Sequence, residues 1–116
     1  MVVLSELSDA ELSDTDVDRI FHALADATRR DILRRTMAGD TSVSRLADAY
    51  EMSFAAVQKH VAVLEGAGLV TKKSQGRERL VRADPATISR AQKLLAAYAD
   101  LWRSRVDRLD TLLAAD

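Results

Sequence analysis

Five cations, Lys72, Lys73, Arg77, Arg79 and Arg82, fall within eleven residues, with Glu78 as the single acid among them. Some twenty positions earlier, Ser53, Phe54, Ala55, Ala56, Gln58 and Lys59 set hydroxyl, amide and ammonium groups among small and apolar side chains. Groups of these types form hydrogen bonds and attract charge, and a polyanion that also exposes donor and acceptor edges is the partner they suit. Combinations that carry covalent or metal chemistry are missing. The chain has no cysteine, no His-x-x-x-His pair and no glycine-rich phosphate loop. It is not expected to be an enzyme.

The elements that must position these groups can be read from periodicity. Over TSVSRLADAYEMSFAAVQKHVAVLEGAGL, residues 41–69, Val43, Leu46 and Ala47 and then Val57, Val61 and Leu64 recur at three- and four-residue steps. That spacing predicts two helices with facing apolar stripes. The polar break Glu51-Met52-Ser53 separates them, and Ser53 is placed to cap the second helix. This is a helix-turn-helix pattern, in which the second helix enters the major groove and turns its N-terminal residues toward base edges. After Gly66-Ala67-Gly68 the period changes. Residues 69–74 and 78–83 are expected to pair as two strands about Gln75-Gly76-Arg77, carrying the five cations on a hairpin beside the second helix. A basic hairpin in that place suits the phosphate backbone, whereas elsewhere it would read as an edge kept soluble by charge.

The flanks are read in the same way. Val17, Ile20, Phe21 and Leu24 predict a first helix from Asp16 to about Asp26. A second is expected to start at a Thr28 cap with Asp31 reaching back, to turn Ile32, Leu33 and Met37 inward, and to end at Gly39 in a left-handed backbone. Arg29, Arg30, Arg34 and Arg35 on it fit a solvated face with ion pairs at least as well as phosphate contact. Asp84-Pro85 starts a terminal helix of about 30 residues, roughly 45 Å long. Ile88, Ala91, Leu95, Tyr98, Trp102, Val106, Leu109 and Leu113 recur along it as an a/d-like seam. We read it as a dimerisation helix, with Leu95, Tyr98, Trp102, Val106, Leu109 and Leu113 at the interface. The competing reading is a helix folded back on its own domain with a break near Ser104.

Composition sets the outer limits. With 116 residues, 47% hydrophobic and 30% charged, the chain suits one globular domain. It divides into an acidic arm over residues 1–14, a core over 15–84 and the terminal helix over 85–116. The net charge of −1 conceals an asymmetry, because residues 1–18 hold six acids and no base, leaving the rest at +5. No apolar run approaches the roughly 20 residues of a membrane span, and the N-terminus lacks a signal-peptide pattern, so a cytoplasmic protein is expected.

Read in register, FHALADATRRDIL, TSVSRLADAYEMS, AAVQKHVAVLEGAGLV and KKSQGRERLVRA resemble the ArsR family of bacterial winged-helix repressors over roughly residues 16–114. The resemblance implies a mainly α fold with a small β-hairpin, a winged helix-turn-helix dimerised through terminal helices. It also implies a homodimeric repressor of transcription, often of its own operon, on a pseudo-palindromic double-stranded DNA operator. Ser53, Ala56, Gln58 and Lys59 match the family's DNA-facing positions. Gln58 is then the candidate for bidentate pairing with adenine, Lys59 for guanine or phosphate, and Ala55 and Ala56 for a thymine methyl or close approach. Lys73, Arg77 and Arg79 are the wing candidates. His60 matches the family's recognition-helix histidine, as a packing or phosphate-contact residue. The sensing motifs depart from the family. SRLADAY lacks the cysteines of its metal sensors, and the terminal helix has Asp100, Asp107 and Asp110 but no histidine. No metal or other cofactor is expected, and the effector stays open. The alternative is a winged-helix module that binds protein instead of DNA.

Overall fold

The computed structural model describes residues 12–114. Among these residues five helices and three short strands follow one another as α1 (Asp14–Leu24), α2 (Ala27–Ala38), β1 (Thr41–Ser42), α3 (Val43–Asp48), α4 (Phe54–Gly66), β2 (Val70–Gln75), β3 (Glu78–Ala83) and α5 (Pro85–Ala114). The strands form one antiparallel sheet in the order β1-β3-β2. The architecture is the winged helix-turn-helix expected from the periodicity, with α3 and α4 as the motif and β2–β3 as the wing. Residues 1–11, on which most of the acidic arm falls, lie outside the described residues. Leu12 packs against the core.

Local chemistry accounts for most of the boundaries. Ser13 caps α1 by accepting the Asp16 amide at 3.1 Å, and Asp16 reaches back to the Ser13 amide, a reciprocal capping box. α4 begins at Ser53, whose Oγ accepts the Ala56 N–H at 3.1 Å. Its end is a Schellman motif, in which Gly68 takes φ of +76° and donates to Glu65 O while Leu69 donates to Leu64 O. That reversal sends the chain into β2. The wing turns over two residues, Gly76 at φ of +63° followed by Arg77 at negative φ, the pattern of a type II′ hairpin. Asp84 caps α5 through the Ala86 amide at 3.1 Å.

Three local expectations are corrected. The cap of α2 is Asp26, accepting the Arg29 amide at 3.0 Å, so Thr28 lies inside the helix and Asp31 is released for other partners. Thr36 is buried on α2 where Met37 was expected; Met37 is half exposed. Thr36 can occupy that site because its hydroxyl donates to Leu33 O at 2.7 Å. Gly39 ends α2 with an extended backbone, φ 167°, not a left-handed one, and leads directly into β1. That strand pairs Thr41 with Val81 and Ser42 with Leu80, adding a third strand that the periodicity did not reveal.

The core joins Ile20 and Ala23 of α1, Ile32 and Leu33 of α2, Val43 and Leu46 of α3, Val57, Val61 and Leu64 of α4, and Val70 and Val81 of the sheet. Val57, Val61 and Leu64 have no exposed surface. Each contributes about 1.5–3 kcal/mol by leaving water, so turning α4 about its axis is strongly opposed. α5 differs. Near its start Thr87 is buried, Ile88 and Ala91 pack against the core, and Arg90 lines a cleft with Leu12, Asp16 and Gly68. The rest projects as one unbroken helix, and the radius of gyration is 18.9 Å where a compact chain of this length gives about 13 Å. A break at Ser104 with the helix folded back is therefore not the arrangement.

Polar ties fix the helices against one another. Arg29 Nε donates to Ala23 O at 2.8 Å and Nη2 to His22 O at 3.0 Å, taking up carbonyls at the end of α1. Its Nη1 lies 3.4 Å from His60 Nδ1 on α4, so one guanidinium spans three helices. Asp31 accepts from Arg34, from Arg35 Nε at 2.8 Å, and from the Tyr50 hydroxyl, which belongs to the turn between α3 and α4. Arg35 also lies over the Tyr50 ring, 5.4 Å from its centre. These partners, Arg35 first and then Tyr50, hold the Asp31 carboxyl far below the usual carboxylate range. A depressed folded pKa adds stability that is present above the unfolded value near pH 3.9 and is lost as pH falls below it. Tyr50→Phe is expected to cost about 1 kcal/mol at neutral pH, discounted for partial exposure. Thermal melting should show the gap from wild type narrowing between about pH 5 and about pH 2; a constant gap would mean that the hydroxyl acts through packing alone.

Candidate nucleic-acid interface

The buried stripe of α4 decides what the helix offers outward. With Val57, Val61 and Leu64 facing the core, Phe54, Ala55, Gln58 and Lys59 are exposed, as is the capping Ser53. They crowd the N-terminal half of the helix, where free backbone N–H groups and the positive end of the dipole favour phosphate. Ala56 and His60 lie on the flank of α4 that turns back to the body and are half-buried. His60 faces Arg29, a group that can only donate. A hydrogen bond between them requires Nδ1 as the acceptor.

Five cations decorate the wing, but the structure divides them. Lys72 pairs with Glu65 at 3.3 Å, and Arg82 makes a two-pronged contact with Asp40, at 2.8 Å from Nη2 and 3.1 Å from Nε. The Arg82 guanidinium holds the Asp40 carboxyl below its ordinary range. These two cations staple the wing to α4 and to the loop before β1. Among the described residues, Lys73, Arg77 and Arg79 have no carboxylate partner. All three are exposed, so the wing presents positive charge toward its tip. In the register, Arg79 sits opposite Ser74 and shares a face with Lys72, and these three line a polar cleft of about 270 Å³ with Glu65.

The arginines of α2 are likewise absorbed internally, Arg29 by α1 and α4, Arg30 through Leu24 O at 2.7 Å, and Arg34 and Arg35 by Asp31. Of the two readings, Arg34 and Arg35 show the ion-paired face, while Arg29 and Arg30 bind backbone carbonyls. Sequence reasoning missed the bracing by Arg29 and Tyr50 and the Asp40–Arg82 pair, 42 residues apart, for which no local signal exists. Phe54 was grouped with the N-terminal residues of the second helix but given no role of its own, although its place beside the cap and off the Val57-Val61-Leu64 stripe marks it as outward-facing.

The expected dimerisation residues fall along the projecting part of α5. Leu95, Tyr98, Leu109, Trp102 at 62% and Leu113 at 78% are exposed, while Val106 is half-buried. So large an apolar stripe is seldom left to water on a monomer. Among the described residues, no three His, Asp or Glu side chains gather in a group able to hold a metal ion. Nor is any described helix long and apolar enough to cross a membrane.

Comparison with known proteins supplies the family. The model of a helix-turn-helix domain matches residues 24–73. The HTH-type transcriptional regulator Rv2034 of Mycobacterium tuberculosis is 35% identical over 98 residues, covering 78% of this chain and 92% of its own. Among solved structures, an ArsR-like transcriptional regulator from Rhodococcus sp. RHA1 is 31% identical with a TM-score of 0.76, over 84% of this chain and 92% of that one. A second is a homodimeric winged helix-turn-helix DNA-binding domain, Mb0332 from Mycobacterium bovis, a possible ArsR-family regulator. It is 26% identical with a TM-score of 0.61, over 77% of this chain and 88% of that one. Capped recognition helix, basic wing, projecting terminal helix and these likenesses agree, and the chain belongs to the ArsR family of winged helix-turn-helix transcriptional regulators.

Proposed function

We propose that the protein is a homodimeric repressor that binds a pseudo-palindromic operator, including one near its own gene, and blocks transcription from it. One observation carries the reading: the outward face of α4 bears Ser53, Ala55, Gln58 and Lys59 beside a wing on which Lys73, Arg77 and Arg79 are not spent on internal pairs. Gln58 reads a base edge, Lys59 meets guanine or phosphate, and the wing cations hold the backbone beside the groove. Ala56 and His60, half-buried at the edge of this face, flank the contact, with His60 held beside Arg29.

The dimer follows from α5. Two copies that bury Leu95, Tyr98, Trp102, Val106, Leu109 and Leu113 against each other cover the apolar stripe and set the two α4 helices about one DNA turn apart, roughly 34 Å. The homodimer formed by the related Mycobacterium bovis domain supports this arrangement. A regulator of this type needs no resident metal, and its function is binding, not catalysis.

Fluorescence anisotropy of the protein on DNA upstream of its own gene, across a salt series with a scrambled duplex as control, tests the operator. Tight binding that prefers the native duplex and weakens steeply with salt is expected, because each phosphate contact releases counterions. Equal weak binding to both duplexes overturns the autoregulatory operator. Reduced transcript from the native promoter in a reconstituted reaction tests repression, and increased transcript overturns it.

Two sets of variants test the residues. Gln58→Ala should cost about 1–3 kcal/mol on the operator and relax preference at one base position. Arg77→Ala should weaken all duplexes more evenly and lower the salt slope by about one. If the two variants lose specificity equally, the division between reading and gripping is wrong. Leu95→Glu combined with Trp102→Glu should yield monomers in sedimentation and poor binding to the full operator; an intact dimer would show that the interface lies elsewhere.

A further inference from the structure

Phe54 is the first residue of α4, 47% exposed, and absent from the core that Val57, Val61 and Leu64 complete. Its position is well defined, since the Ser53 cap on the Ala56 amide fixes the first turn in which it stands. Gln58 lies four residues on, about 40° around the helix and about 6 Å along it, so the two share a flank. Helical side chains lean toward the N-terminus, which sets the phenyl ring ahead of the first turn, on the side by which α4 would approach a duplex. The major-groove floor is lined with hydrogen-bonding edges, and its apolar feature is the C5-methyl group of thymine.

We propose that Phe54 is a specificity-determining residue whose ring packs on the C5-methyl of a thymine within two base steps of the pair met by Gln58; the inference rests on α4 being the recognition helix. The 6 Å between the two residues matches one to two steps of about 3.4 Å. An amide and an aromatic ring on one flank then read adjoining features by different chemistry. Gln58 requires paired donor and acceptor groups, whereas Phe54 requires a methyl group and is indifferent to hydrogen bonding.

The test separates these chemistries. Full-length protein is used to enrich duplexes from a randomised pool, and each thymine of the enriched duplex is replaced in turn by deoxyuridine, which lacks the methyl and keeps the pairing edges. One thymine in each half-site should weaken wild-type binding by about fourfold on replacement, the factor that burial of one methyl group supplies. Phe54→Ala should bind the thymine and uracil duplexes equally, and Phe54→Leu should retain part of the preference; circular dichroism should show all three proteins folded alike. If wild type ignores uracil at every thymine, or if Phe54→Ala keeps the full preference, the assignment of Phe54 is overturned while the operator stands. Failure to enrich any sequence overturns the operator reading and this inference with it.

Discussion

Burial of one stripe of α4 is the constraint on which the rest of the structure depends. Val57, Val61 and Leu64 carry no exposed surface and meet α1, α2, α3 and the sheet in one core. Because α4 turns by about 100° per residue, fixing that stripe fixes the azimuth of every other residue on the helix. Phe54, Ala55, Gln58 and Lys59 must then face outward, and His60 must lie at the edge, beside Arg29. The candidate interface is thus a consequence of the core, and residues with no direct role in packing are oriented by it.

Hydrophobic burial sets the rotation of α4 but leaves its ends less constrained, and polar ties complete the placement. The Ser53 cap defines the start, and the Schellman turn at Gly68 defines the exit into β2. Arg29 joins the end of α1, the start of α2 and the middle of α4 through one rigid fork. Asp31 holds the turn before α4 through Tyr50. On the wing, Lys72–Glu65 and Arg82–Asp40 contribute little as exposed ion pairs, yet they consume two cations and so decide which of the five remain available to a polyanion. Charge used for fixing the wing and charge left without a carboxylate partner are separated by geometry within the same hairpin.

The terminal helix follows a different logic. Its first turns are anchored by Thr87, Ile88 and Ala91, and beyond them a stripe containing Leu95, Tyr98 and Trp102 has no counterpart in the body. Length alone requires this, because a helix of 30 residues reaches about 45 Å, more than the diameter of the small core it leaves. It is this apolar surface that we propose a second copy to cover.

Sequence alone determined the helices and the wing of this protein, because their signals are local. Three- and four-residue steps mark apolar stripes, Ser53 and Asp84 mark helix starts, and Gly68 and Gly76 mark reversals that need positive φ. Gln58 and Lys59 could be named as outward-facing for the same reason, since the face opposite a clear stripe is fixed by helical geometry. Tertiary structure decided the matters that depend on residues far apart in the chain. β1 exists only because β3 offers it hydrogen-bonding partners, and two residues carry too little pattern to announce a strand. Asp26 displaced Thr28 as the cap of α2, and Asp31 turned instead to Arg34, Arg35 and Tyr50. The division of the wing cations rests on Glu65 and Asp40, whose nearness to Lys72 and Arg82 is a property of the fold. A local rule reports what a residue can do, and only the assembled neighbours report which of its partners it meets.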